Sequence, residues 1–148
     1  MLQKPRFKNH TSQIGSQIEP SKKVKRYFGL AKNIAFNSDY GKIRHGAILV
    51  RGGSVINTCC NKDKFCSFGS RFRSPERGPA TIHAELGCIL GISRDTTVGS
   101  DIYVCRINKK GEFRNSKPCA MCHDVLKYVG VKRVFYTTGE GTIEMYKL

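Results

Sequence analysis

Two short runs of the chain hold one imidazole, one carboxylate and two thiols: His83-Ala84-Glu85 and Pro118-Cys119-Ala120-Met121-Cys122. A histidine and two cysteines are donors that zinc prefers, and three protein ligands leave a fourth tetrahedral position for water, as catalytic zinc sites do. Glu85 then stands beside that water as a proton-transfer group. A closed structural site is the competing arrangement. It needs a fourth ligand, for which Cys59, Cys60, Cys66 and His123 are available, and it leaves Glu85 without a role.

The spacing says how these residues must be presented. Successive helical residues turn by about 100°, so Cys119 and Cys122 at i and i+3 share one helix face and can grip one ion. His83 and Glu85, at i and i+2, point to opposite sides of a helix and meet at one site only beyond its tip. The metal is therefore expected between two helix N-termini, where the helix dipoles favour thiolates. Pro118 suits a helix start, because its missing N–H is not needed there.

The elements that must do this positioning are legible in outline. After Pro20, Ser21 is a candidate N-cap, and Tyr27, Phe28, Ala31, Ile34 and Ala35 recur at helical spacing, predicting a helix over about 22–37. His45 to Val50 and Ser54 to Cys59 read as two strands joined by a tight Gly52-Gly53 turn. Residues 61–80, with Gly69, Pro75, Gly78 and Pro79, read as a long loop. Leu86, Ile89 and Leu90 predict a short second helix ended by Gly91, Asp101 to Ile107 a third strand, Cys122 to Tyr128 a third helix stopped by Gly130, and residues 131–136 a fourth strand. The last eleven residues are expected to add a short strand or helix. This order, αββαβαβ, describes an α/β fold with a mixed sheet and helices on both faces. Cys88 and Cys105 are expected to be small core residues.

Composition bounds the rest. At 148 residues the chain is one ordinary domain, read as a basic flexible N-terminal arm over 1–20 and a catalytic domain over 21–148. Its seven cysteines, an odd number without an early secretory pattern, point to reduced thiols in an intracellular compartment, cytoplasm or nucleus, with mitochondrial import as a minor alternative. No apolar stretch approaches the roughly 20 residues needed to cross a bilayer, so no membrane partner is expected. Lys plus Arg number 26 against 11 acids, a net charge of +15, and such an excess attracts polyanions or anionic substrates.

In motif order and element order, residues 22–137 resemble the cytidine and deoxycytidylate deaminase superfamily, zinc-dependent nucleobase deaminases that include tRNA adenosine deaminases and polynucleotide cytosine deaminases. The resemblance implies a three-layer αβα cytidine-deaminase-like fold with a mixed central sheet of four or five strands. It implies Zn2+ as cofactor, with His83, Cys119 and Cys122 as its ligands and Glu85 as the proton shuttle in a hydrolysis that turns cytosine into uracil and releases ammonia. Asn61 matches an asparagine that contacts the nucleoside in relatives, and Ala84 is expected as a further substrate contact. His83 stands where the free-cytidine branch generally has cysteine, which groups the chain with the deoxycytidylate, tRNA and polynucleotide branches. Leu86-Gly87-Cys88 departs from the pattern usual after H-A-E in the deoxycytidylate branch, and the tail after Tyr136 is shorter than in many polynucleotide deaminases. Relatives often assemble as dimers or higher oligomers, so a homo-oligomer is expected.

Three functions follow. The first is deamination of a free nucleoside or nucleotide of the CMP or dCMP type, with Arg71, Arg73 or Arg77 holding a phosphate. The alternative is a deaminase of RNA or single-stranded DNA, in which the arm and the stretch from Lys109 to Lys117 track the backbone and Phe72 or Phe113 stacks a base. The last is a non-catalytic, zinc-stabilised protein associated with nucleic acid, against which the intact Glu85 argues.

Overall fold

Ser21 caps the first helix as its position predicts: its hydroxyl accepts from the Val24 N–H at 3.2 Å, and α1 runs over Lys22–Ala35. The computed structural model describes residues 14–39, 41, 43–74, 76 and 80–148, so of the predicted basic arm it describes 14–20. There Ser16–Gln17 forms a two-residue strand, β1. Helix α1 buries Tyr27, Phe28, Ala31 and Ala35 as one stripe.

The predicted hairpin follows, with β2 at Arg44–Arg51 and β3 at Ser54–Cys60. Gly52 and Gly53 connect them with φ of 57° and 79°, the positive values that a two-residue turn of this kind requires at both positions. Along β2, Ala47 and Leu49 pack into one core cluster and Ile48 and Val50 into the other. A strand covered on both faces reads as a continuous apolar run.

Residues 61–80 are more ordered than the predicted loop. Strand β4 (Lys62–Phe65) pairs antiparallel with β5 (Thr81–Ile82), and one helical turn, α2, lies at Ser67–Ser70. The Cys66 thiol caps α2 by accepting from Gly69 N–H at 3.3 Å, and Ser70 Oγ donates to the Cys66 carbonyl and accepts from Ala80 N–H. These bonds draw the two ends of the segment together.

Helix α3 (Ala84–Ile89), the short α4 (Arg94–Thr97), β6 (Asp101–Ile107), β7 (Phe113–Arg114), α5 (Ala120–Tyr128), β8 (Arg133–Thr137) and β9 (Ile143–Lys147) complete the chain. The sheet runs β1-β9-β8-β6-β2-β3, with β7 beside the end of β6. Its β6–β8 pair is parallel and its other pairs are antiparallel. Five strands of five residues or more form the predicted mixed sheet, and β1 and β7 add two-residue pairings.

Helix α1 covers one face over Ile48, Tyr103, Cys105 and Phe135, where Tyr103 and Phe135 stack with centroids 4.4 Å apart. Helices α3 and α5 cover the other face through Leu86, Ile89, Val125 and Leu126. Three layers result. Cys88 and Cys105 are fully buried in them, as expected of small core residues. Among the described residues no helix is long and apolar enough to cross a membrane.

Candidate metal centre and adjoining pocket

The N-cap of α3 is His83 and the N-cap of α5 is Cys119, and neither side chain caps its own helix. Both are thereby left to face the gap between the helix tips, where Cys122 arrives from the first turn of α5. His83 Nδ1 lies 3.3 Å from Cys122 Sγ and 3.9 Å from Cys119 Sγ, and the three ligand atoms all fall within 4.8 Å of one another. One ion with Zn–S of about 2.3 Å and Zn–N of about 2.0 Å bridges atoms so spaced. The donor set and its spacing therefore fit zinc, between two helix N-termini as the residue spacing predicts.

Three of the four candidates for a fourth ligand have partners elsewhere, and Cys60 is not grouped with the three ligands. Cys66 caps α2, Cys59 Sγ donates to the Cys60 carbonyl at 3.1 Å, and His123 Nδ1 lies 3.3 Å from the Tyr146 hydroxyl. Among the described residues, His83, Cys119 and Cys122 form the only such group of potential metal ligands. Glycine at 87 lets α3 approach the sheet closely: a Cβ there would stand 2.1 Å from Cys59 Sγ.

Electrostatics at the centre follow from burial and mutual contact. The Cys119 thiol is held down at about 4, first by its hydrogen bond with Cys122 and then by one with His83, against the opposing effect of burial. Cys122 is pushed well above the usual thiol range by that same bond and by its own burial. One thiolate thus forms readily, and a cation must draw off the second proton. The hydrogen bond to Cys119 raises the His83 imidazole. Glu85, only 4% exposed, is raised by burial, with His83 working against the shift.

A cavity of about 330 Å³ opens in front of His83, Glu85 and Cys119. Asn61 and Ala84 line it, and so do His45, Ser116 and Lys117, whose place the sequence reading did not foresee. Asn61 Oδ1 accepts from the His45 N–H at 2.9 Å and its Nδ2 donates to the Ile43 carbonyl at 2.8 Å, so strand β2 fixes the amide while one N–H and one lone pair stay available. His45 is lowered to about 4 by burial, then by the charges of Arg106 and His83. Its position was readable in principle, because alternation along β2 puts 45, 47 and 49 on the α3 side.

The expected stacking residue is elsewhere. Phe72, 4% exposed, packs in the core with ring centroids 5.5 Å from both Phe68 and Tyr128, because the α2 turn folds it inward, so no face is open to a base. Arg71 lies with its guanidinium over the Phe68 ring, and neither it nor Arg73 lines the cavity, although the Arg73 charge reaches His83. Phe113 packs edge-on to Phe28 on the α1 side of the sheet. Arg77 lies outside the described residues.

A family model of the cytidine and deoxycytidylate deaminase zinc-binding region matches residues 21–138. Among solved structures the fold is similar to the apo dCMP deaminase of cyanophage S-TIM5, with TM-score 0.54 and 24% identity over 82% of this chain and 86% of that one. It is similar also to the same protein in complex with dCMP and dUMP, with TM-score 0.50 and 20% identity over 81% and 85%. A cytidine deaminase from Mycobacterium leprae gives TM-score 0.50 and 20% identity over 81% and 91%. No match was found among curated protein sequences.

Proposed function

The chain belongs to the cytidine and deoxycytidylate deaminase zinc-binding family, and on that premise we propose that it hydrolyses the cytosine base of a nucleoside or nucleotide of the CMP or dCMP type to uracil, releasing ammonia. The observation that carries this reading is the meeting of Glu85 with His83, Cys119 and Cys122 at one cavity of about 330 Å³, the lower end of the range for small-molecule pockets. A zinc ion held by the three ligands supplies a Lewis acid that lowers the pKa of a water toward neutrality.

The chain's own residues do the remainder. Glu85 takes one proton from the attacking water and delivers it to the ring nitrogen next to the reacting carbon, then takes the remaining proton from the hydroxyl added to that carbon and gives it to the departing amine, as the C–N bond breaks and the carbonyl forms. Burial raises its affinity for a proton, so it can hold one between each uptake and its delivery. Asn61, braced by the backbone of Ile43 and His45, has an N–H left to orient a sugar hydroxyl.

The test is a product assay by mass on zinc-loaded protein with cytidine, CMP, dCMP, single-stranded DNA and tRNA. Uracil from the free nucleoside or nucleotides is the expected result. Product from polynucleotides alone would move the assignment to the second reading, a deaminase of RNA or single-stranded DNA, which the net charge of +15 favours. No product from any of them, with zinc bound, would overturn both readings.

A further inference from the structure

Helix α1 begins with a run of charge that works against its own stability. Lys22, Lys23, Lys25 and Arg26 fall within its first five positions, all four are exposed, and no acid stands in the first turn. A helix N-terminus is the positive end of the helix dipole, so cations there are unfavourable. Lys22 and Arg26 are like charges at i and i+4, and Lys22 with Lys25 and Lys23 with Arg26 repeat the conflict at i and i+3. Among the described residues nothing relieves it: the four form no ion pair, and Lys23 lies over the Tyr27 ring, 6.0 Å from its centroid.

Further cations gather at the same end of the sheet. The Tyr27 hydroxyl donates to the Gly53 carbonyl at 3.1 Å, which seats the start of α1 against the β2–β3 turn, and Arg51 enters that turn exposed, its Nη1 donating to the Asp95 carbonyl. Strand register sets Val50, Asp101, Arg133 and Lys147 in one row, so the exposed Lys132 lies at this end too. Asp101 is already neutralised by Arg133, with Oδ2 2.6 Å from Nη2. His45, in the cavity wall, precedes Arg51 by six residues on β2, about 20 Å at the rise of a strand. The positive end and the cavity are therefore at opposite ends of β2.

The make-up of this surface selects among anionic partners. The apolar stripe of α1, Tyr27, Phe28, Ala31 and Ala35, is buried against the sheet, so the helix has no face to lay into a bilayer. From Lys22 to Gly29 no large apolar side chain is exposed, whereas protein partners are anchored by such side chains. A nucleic-acid backbone needs only lysines and arginines, and cations spread over a helix turn and the adjoining strand end suit a chain of phosphates.

We propose that the first turn of α1, with Arg51 beside it, is a docking surface for the sugar–phosphate backbone of a nucleic-acid strand, bound without reading its bases and away from the catalytic cavity. The surface goes beyond the deaminase reading and does not depend on it, because the cavity stays free while the strand is bound.

The test is fluorescence anisotropy on the zinc-loaded full chain with a labelled single strand of thymidines, which offers the cavity no cytosine. One variant carries Lys22→Gln, Lys23→Gln, Lys25→Gln and Arg26→Gln together. A charge-matched variant carries Lys62→Gln, Lys64→Gln, Lys109→Gln and Lys110→Gln, exposed positions outside the α1 surface. The α1 variant is expected to bind the strand at least about tenfold more weakly at low salt, with the slope of log affinity against log salt flatter by roughly 2–3, while the charge-matched variant stays within about threefold of wild type. Without DNA the α1 variant melts at a higher temperature than wild type, because the like-charge repulsion is gone, and it turns over CMP at the wild-type rate. Saturating CMP leaves the strand bound to wild type. Equal losses in the two variants overturn the proposal, since net charge and not this surface would then be responsible. Displacement of the strand by CMP overturns it, as does a lower melting temperature in the α1 variant. Binding of the wild type to phosphatidylserine vesicles but not to the strand also overturns it. Absence of CMP turnover with strand binding lost only in the α1 variant counts against the deaminase reading and leaves the docking surface standing.

Discussion

Glu85 is a carboxylate with almost no access to solvent, held beside an imidazole and two thiols, an environment few carboxylates occupy without chemical reason. Glu85→Gln keeps the shape and removes the proton carrier. The expected outcome is a loss of turnover of about 10²–10⁴-fold or more with zinc content and folded structure retained, read by ammonia release and metal analysis. His45 gives a prediction of a different kind. Its unfolded value is 6.5 and its folded value about 4, so as the pH falls the unfolded chain takes up the proton first. Stability contributed near neutrality is thus lost between about pH 6.5 and 4, by about 3 kcal/mol at most. Denaturation of wild type and His45→Gln across that window checks this: the wild type loses more stability than the variant, whose profile is flatter.

At the scale of elements, the two helix tips are what turns a list of donors into a site. Packing of α3 against β3 depends on the missing side chain at position 87, so Gly87→Ala drives a methyl into Cys59 and tilts the helix that presents His83. The expectation is a loss of about 1–3 kcal/mol in stability together with weaker zinc retention, both partly restored by adding Cys59→Ala; thermal melts and chelator competition measure them. What was legible at this scale was local. The i, i+3 spacing of Cys119 and Cys122 and the i, i+2 spacing of His83 and Glu85 were enough to place the metal between helix tips, and Ser21 and Gly52-Gly53 marked their own elements. Phe72 and the β6–β7 hairpin were not legible for a common reason. The burial of Phe72 depends on a segment closed by Ser70 and Ala80, and the facing of Arg106 and Arg114 depends on a two-residue strand set by an Asn108 turn. Neither leaves a periodic pattern in the chain. Asn61 was singled out by resemblance and lies in the cavity wall, but its bracing by the backbone of Ile43 and His45 is a long-range fact.

For the whole molecule, a net charge of +15 on 148 residues must act on any polyanion nearby. Single-stranded DNA is expected to bind non-specifically, with affinity falling steeply from low to physiological salt, while turnover of CMP persists at the higher salt; fluorescence anisotropy and the product assay, run side by side, check both. Polyanion attraction and nucleotide chemistry then separate as a property of the surface and a property of the pocket.

The account rests on three ligands holding zinc with one position left for water, and X-ray absorption spectroscopy at the zinc edge of metal-loaded protein tests that most directly. It predicts two sulfur scatterers at about 2.3 Å, with His83 and a light atom completing the shell. A third sulfur in that shell, recruited from Cys59, Cys60 or Cys66, would contradict it, as would protein that takes up no zinc.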